Sequence, residues 1–364
     1  MNLRPDDRQA RREARWQALA QHKTLAASLL WPLSLIHAML GRLRRLAFAL
    51  GWFQIHRMPV PVIVVGNVVV GGAGKTPTVV ALVKHLQSHG WHPGVVSRGY
   101  GRQTEQLQQV DATTPASAVG DEPALIHQST GAPVCVAPRR VDAARALLER
   151  HPDIDVLLCD DGLQHLALGR DLSIAVFDER GIGNGWQLPA GLLREPWPPA
   201  PGHPAPPDLV LLQRREEALP ITLPMGDVPQ FLAARRLADS ASNLAGQTQP
   251  LSTLQGQALC AVAGIARPDA FFTMLRARGL TLARTVPLPD HAASDAYAGL
   301  LASPEHPLIC TEKDAVKLDA LLGDASTKRQ QVWVVSLELH PEPGFFDAVD
   351  MALAHVQRRP AAAR

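Results

Sequence analysis

The segment Val60-Pro61-Val62-Ile63-Val64-Val65-Gly66, followed closely by Gly71-Gly72-Ala73-Gly74-Lys75-Thr76, restricts the fold more than any other part of this chain. A short β-branched run ending in glycine reads as a strand buried on both faces of a parallel sheet. The glycines let the backbone curl so that its N–H groups point at phosphate oxygens. Thr78 to Gly90 then carries apolar residues at helical spacing, which places a positive helix N-terminus behind the loop. Gly71, Gly72, Ala73, Gly74, Lys75, Thr76 and Pro77 are the expected nucleotide-binding residues. Lys75 reaches toward the β- and γ-phosphates and the Thr76 hydroxyl toward Mg²⁺. Two positions depart from familiar patterns. Val69 stands where G-x-x-x-x-G-K-[ST] requires glycine. Val70 stands where the G-G-x-G-K-T form often carries a lysine.

Further runs continue the alternation of strand and helix. Residues 94–97, 155–159, 172–177 and 208–212 read as strands of the same sheet. A second series follows a connection over 231–257. It has strands at 259–263, 307–310 and 332–336, a helix over Arg267 to Arg278, and a second helix capped by Thr311. The proline-rich stretch from Leu188 to Pro207 reads as a long functional loop beside the first sheet. The fold class is therefore α/β: a P-loop NTPase-like parallel sheet domain with a second, smaller α/β domain.

At 364 residues the chain is long enough for two domains, and its 46% apolar content fills their cores. A net charge of +2 and 5% aromatic residues give no sign of a nucleic-acid partner, and no obligate protein partner is evident. The four cysteines form no C-x-x-C pair, and they read as small buried hydrophobes in a reducing compartment. Leu25 to Leu40 is apolar, contains Pro32 and His37, and precedes the basic cluster Arg42, Arg44 and Arg45 and a second apolar piece, Leu46 to Phe53. A bent helix or helical pair of this kind suits a membrane interface carrying anionic lipid, and equally suits packing on the protein's own core.

Asp160 and Asp161 close a buried strand, the usual place for the acid that holds Mg²⁺ beside a P-loop. Phosphoryl transfer to an alcohol also needs a group to accept the hydroxyl proton. Asp121 and Glu122 in the Gly120-Asp121-Glu122-Pro123 loop, His165, Asp290 and His291 are all candidates by chemistry alone. Thr311-Glu312-Lys313-Asp314 reads first as a helix cap.

Together these pieces resemble the tetraacyldisaccharide 4′-kinases, the lipid A 4′-kinases of Gram-negative bacteria. The matching motifs are Gly66-Asn67 with Gly71 to Pro77, Ser97-Arg98-Gly99-Tyr100-Gly101, Gly120 to Pro123, and Asp160-Asp161-Gly162-Leu163-Gln164-His165. Leu193-Arg194-Glu195-Pro196, Ala263 to Pro268, Pro289-Asp290-His291 and Thr311 to Asp314 follow in order. The resemblance implies transfer of the ATP γ-phosphate to the 4′-hydroxyl of an acylated glucosamine disaccharide 1-phosphate, giving lipid IVA, with Mg²⁺ as cofactor. It implies Asp121 as base working with His291, with Glu122 beside them, in a cleft between the domains. It places Arg98 and Tyr100 at the lipid head group, Arg194 near the phosphates and Glu195 near the metal. Arg140 is a further phosphate contact. It also implies a chain bound to the cytoplasmic face of the inner membrane through its N-terminal segment. The expected layout is a polar extension and interface helix over 1–53, a P-loop kinase domain over 54–235, a smaller domain over 236–345, and a C-terminal helix and tail over 346–364. The competing reading is a membrane-associated P-loop ATPase switch without a lipid acceptor; the valine at position 70 speaks against it.

Overall fold

The computed structural model describes Trp16 and residues 20–102, 104–111, 113–200, 202–214, 223–224, 228–265, 267–289, 292, 295–302, 305–323 and 325–358. The larger sheet begins with β1 (Val62–Gly66), β2 (Pro93–Ser97), β3 (Gln108–Val110) and β4 (Val134–Val136). It continues with β5 (Val156–Asp160), β6 (Leu172–Phe177), β7 (Leu209–Arg214) and β8 (Gln230–Leu237). The smaller sheet contains β9 (Ser240–Asn243), β10 (Thr248–Pro250), β11 (Ala258–Ala263), β12 (Thr281–Pro287), β13 (Leu308–Cys310) and β14 (Val332–Val334). The last strand is β15 (Leu337–Pro341).

The larger sheet runs β15-β8-β7-β6-β1-β5-β2-β4-β3, parallel from β8 to β4 and antiparallel at both edges. The β-branched run is thus central, between β5 and β6, and all its residues are buried. Its alternate side chains feed two separate cores. Val62 and Val64 pack with Leu157, Cys159 and Phe177 on one face; Ile63 and Val65 pack with Leu158, Ile174 and Val176 on the other. Full burial of each such aliphatic side chain contributes about 1.5–3 kcal/mol, which is why this run accepts no polar residue. All four cysteines are free and buried, as their apolar surroundings imply.

The smaller sheet runs β10-β9-β14-β13-β11-β12. After it the chain comes back. β15 pairs antiparallel with β8, and the helix Pro343–Gln357 lays Phe345, Val349 and Leu353 on the core of the larger sheet. The expected end of the smaller domain at residue 345 is corrected accordingly: Leu337–Pro341 belongs to the larger sheet. The reason is non-local pairing, since an edge strand completes its hydrogen bonds wherever a partner is open. Two neighbouring segments therefore cross between the sheets, and Ala238 N donates to Ser336 O at 3.0 Å where they pass.

The N-terminal segment is one helix, Leu25–Ala49, with Thr24 as cap and Pro32 inside, so of the bent helix and the helical pair the single helix is the form found. Only a narrow stripe of it is buried, including Ser34, whose hydroxyl donates to Gln187 O at 2.8 Å. Leu25 and Leu29 are 89% and 82% exposed, and Leu33, Ile36, Met39, Leu40 and Leu43 are exposed as well. By length and composition this helix is able to cross a membrane.

Candidate active site

The loop between β1 and the helix Lys75–Ser88 lies at the C-terminal end of the sheet, where ligands of open α/β sheets bind. Val69 explains itself here. It is fully buried and bridges antiparallel to Leu193; Val70 N donates to Leu192 O at 2.9 Å and Arg194 N to Val68 O at 2.7 Å. At this bridge the valine side chain is buried and the backbone is paired, so glycine is not needed. This pairing also carries Arg194 and Glu195 to the loop's flank. Gly74 caps the helix in the left-handed region at φ 84°. A side chain there would collide with Gln213 Oε1 and Arg235 Nη2. Gln213 in turn donates to Gly74 O and Thr78 Oγ1, both at 2.7 Å, so Gln213 and Arg235 brace the loop from β7 and β8.

Lys75 Nζ is 3.5 Å from Asn67 Oδ1 and 3.6 Å from Asp161 Oδ1. Arg194 Nη1 approaches the same Asp161 oxygen at 3.4 Å. Asp161 adopts φ 49°, an uncommon conformation for a residue other than glycine, as the chain turns sharply after β5. Arg140 is buried and donates to Asp161 O at 3.2 Å. It therefore braces that turn through Nη2.

Asp160 is wholly buried beside Val65, and neither carboxylate oxygen has a partner among the described residues. Burial, then the negative charges of Glu122 and Asp161, push its carboxyl up to about 8. An orphaned buried carboxylate is expensive to keep. With the Thr76 hydroxyl and Asp161 it makes an all-oxygen donor set of the kind Mg²⁺ prefers. Glu195, the other expected oxygen ligand, has protein partners in this structure. Gln164 Nε2 donates to it at 2.7 Å, and His203 and Arg45 lie at 3.4 and 3.9 Å, so both its oxygens are engaged. Burial favours the neutral form, but the hydrogen bonds from His203 and Gln164 prevail and lower its pKa. In these contacts Glu195 links the N-terminal helix, through Arg45, to the loop after β5, through Gln164. Asp160→Asn is expected to leave the melting temperature of the ligand-free protein equal or higher. It should also remove the stabilisation that Mg²⁺ with nucleotide gives the wild type, read by calorimetry.

Asp121 and Glu122 open the helix Asp121–Thr130. Gly120, at φ 99°, packs on Gly99 and Tyr100, so the Arg98 and Tyr100 loop lies against the Asp121 turn. Arg98 and Tyr100 are exposed there. Lys317 Nζ, from the smaller domain, is 3.0 Å from Asp121 Oδ2. Asp290 and His291 lie outside the described residues. His165 is a poor base: burial, then the Arg140 and Arg170 charges, drive its imidazole down to about 4. Thr311 does cap its helix, accepting from Asp314 N. His85 pairs with Asp350 at 2.9 Å and stacks on Phe346.

A cavity of about 590 Å³ opens between the two sheets, lined by Gly72 to Pro77 and Glu122 on one side and by Ile265, Phe271 and Met274 on the other. That is ample for a nucleotide. A second space of about 400 Å³ lies under the N-terminal helix, between Arg44 and Arg45 and the residues Leu163, Gln164 and Arg194. Sequence reasoning assigned no role to Asn67, Gln164, Gln213, Arg235 or Lys317. Asn67 and Gln164 were legible as motif members; Arg235 and Lys317 carry no local signal, because their roles arise across domain contacts.

The family model for LpxK, tetraacyldisaccharide-1-P 4′-kinase, matches residues 26–354. The chain belongs to the tetraacyldisaccharide 4′-kinase family. Relatives bearing that family's name include a protein of Acidovorax sp. (strain JS42), 51% identical over 336 residues and covering 92% of this chain and 93% of that one. One from Polaromonas sp. (strain JS666 / ATCC BAA-500) is 51% identical over 332 residues, covering 90% and 93%. Among solved structures, LpxK from Aquifex aeolicus in complex with ATP superposes with a TM-score of 0.76 at 25% identity, covering 91% of this chain and 99% of that one. As in other members of the tetraacyldisaccharide 4′-kinase family, the fold is α/β with a P-loop, and the family's activity is that of an ATP-dependent kinase in lipid A synthesis.

Proposed function

We propose that this chain transfers the γ-phosphate of ATP to the 4′-hydroxyl of a tetraacylated glucosamine disaccharide 1-phosphate, forming lipid IVA. The observation that supports this reading is the cavity of about 590 Å³, lined by Gly72 to Pro77 of the P-loop and by Glu122, the residue next to Asp121 on the same helix. Lys75 and the loop N–H groups hold the β- and γ-phosphates. Thr76, Asp160 and Asp161 would hold Mg²⁺, which neutralises charge on those oxygens when bound. Asp121, helped by His291, accepts the proton of the 4′-hydroxyl as the oxygen's lone pair forms the new bond to phosphorus. The bond from phosphorus to the bridging oxygen breaks and ADP leaves. Closing the domains excludes water and so limits ATP hydrolysis. Arg98 and Tyr100 receive the sugar head group from the open side, and Arg194 compensates charge beside Asp161. The test is transfer of labelled γ-phosphate to the purified lipid disaccharide in detergent micelles. Turnover of ATP with no label on the lipid would overturn the assignment.

The acceptor is a lipid, and the greasy helix gives the protein a way to reach it. We infer that Leu25–Ala49 lies on the cytoplasmic face of the inner membrane, its exposed leucines in the acyl region and the exposed Arg42 and Arg44 at anionic head groups. Leu29, Leu33, Ile36 and Leu40 follow one helix face. Changing all four to serine is expected to weaken partition to anionic vesicles by at least about a hundredfold, since each buried apolar side chain contributes roughly 1.5–3 kcal/mol. Unchanged sedimentation with vesicles would place the anchor elsewhere.

A further inference from the structure

We propose that Lys317 is a positioning residue for the transfer: its single ammonium ties the Asp121 carboxylate of the larger domain to the backbone of the smaller one at Ala292. The inference rests on Asp121 being the base. Lys317 Nζ lies 3.0 Å from Asp121 Oδ2 and donates to Ala292 O at 2.8 Å. The two side chains are 10% and 14% exposed. An ammonium enclosed to this degree is costly to desolvate without partners, so the two contacts are required by its burial. Ala292 directly follows His291 in the chain. One cation thus connects the helix that begins with the base to the loop that carries the base's expected imidazole partner.

The other end of Lys317 is held firmly. Its helix, Glu312–Leu322, is capped by Thr311 and anchored through Asp314. The fully buried Asp314 carboxylate accepts from Gly264 N at 2.7 Å, Tyr297 Oη at 2.7 Å and Thr311 Oγ1 at 2.5 Å. Tyr297 is itself wholly buried, and its ring centroid is 6.0 Å from Lys317 Nζ. A satisfied buried network of this kind is stiff. Lys317 projects from it across the cleft, and the helices Asp121–Thr130 and Glu312–Leu322 pack against each other at this point. Opening the cleft would take Asp121 away and leave the ammonium short of a negative partner. The pair therefore favours the arrangement in which Asp121 stays docked against the smaller domain.

The experiment is a double-mutant cycle in the full-length protein, with Lys317→Met, Lys317→Arg, Asp121→Asn and the two combinations. Turnover is followed by labelled phosphate on the lipid, and folding by the melting temperature. Lys317→Met is expected to lower kcat about a hundredfold, the scale of a misplaced reacting group, with KM for ATP little changed. Lys317→Arg should recover part of that loss. In the Asp121→Asn background, either Lys317 change should cost nothing further, because the lysine acts through the missing carboxylate. Losses that multiply would overturn the proposal, as would wild-type kcat in Lys317→Met. If Lys317→Met does not fold, the Lys317→Arg arm of the cycle decides by the same criterion. Wild-type turnover in Asp121→Asn alone is a different outcome: it removes the base reading, and the positioning role with it.

Discussion

Asp121→Asn is expected to lower kcat by about 10²–10⁴-fold, the usual range for a general base. The dissociation constant for ATP should stay within about twofold of wild type, since the change removes an interaction made with the acceptor's proton in the transition state. The structural reason is separation of tasks. The phosphates belong to the loop Gly71 to Thr76, on the strand–helix unit of β1. Asp121 belongs to a different helix, whose start is fixed by Gly120 packed on Gly99 and by the Lys317 ion pair. Asparagine keeps the shape of the side chain and loses only its capacity to take a proton. Equilibrium binding of a non-hydrolysable ATP analogue, alongside transfer of labelled phosphate, checks both halves. Near-normal turnover removes Asp121 from the base role.

Gly74→Ala should be the second large effect, and of the opposite kind: ATP affinity falls about a hundredfold or more. Gly74 sits at φ 84°, a region where an L-residue other than glycine costs about 1–2 kcal/mol. The added Cβ also meets Gln213 Oε1 and Arg235 Nη2. Gln213 cannot yield freely, because its amide donates to Gly74 O and Thr78 Oγ1, both at 2.7 Å, and its oxygen accepts from Arg235 Nε at 2.7 Å. The loop must then uncurl, and its N–H groups no longer converge on a phosphate. Titration with ATP analogue reads the loss. Wild-type affinity in a folded Gly74→Ala protein would mean that the loop binds in another conformation.

Some expectations held and some changed, each for a definable reason. The β-branched run at 62–66 is legible as a central strand because burial on both faces admits only such residues. Asp160 and Asp161 are legible as the acidic end of a buried strand beside the phosphate loop. The partners of Arg140 and Glu195 are not legible in the sequence: Arg140 donates to Asp161 O, and Glu195 meets Gln164, His203 and Arg45, all through contacts distant in the chain. The strand Leu337–Pro341 is not legible in the sequence, because β15 carries no mark of which edge it will complete.

By itself the sequence determined the phosphate loop, the alternation of strands and helices, the greasy N-terminal helix and the family. All of these depend on residues close together in the chain, where local conformation and hydrophobic period operate. Only the tertiary structure decided that valine at position 69 is a paired strand residue, that the chain returns to its first sheet, and that Lys317 meets Asp121 at 3.0 Å. Those facts depend on which buried polar groups find each other across long stretches of chain. Desolvation makes such pairings obligatory, but no local pattern announces them.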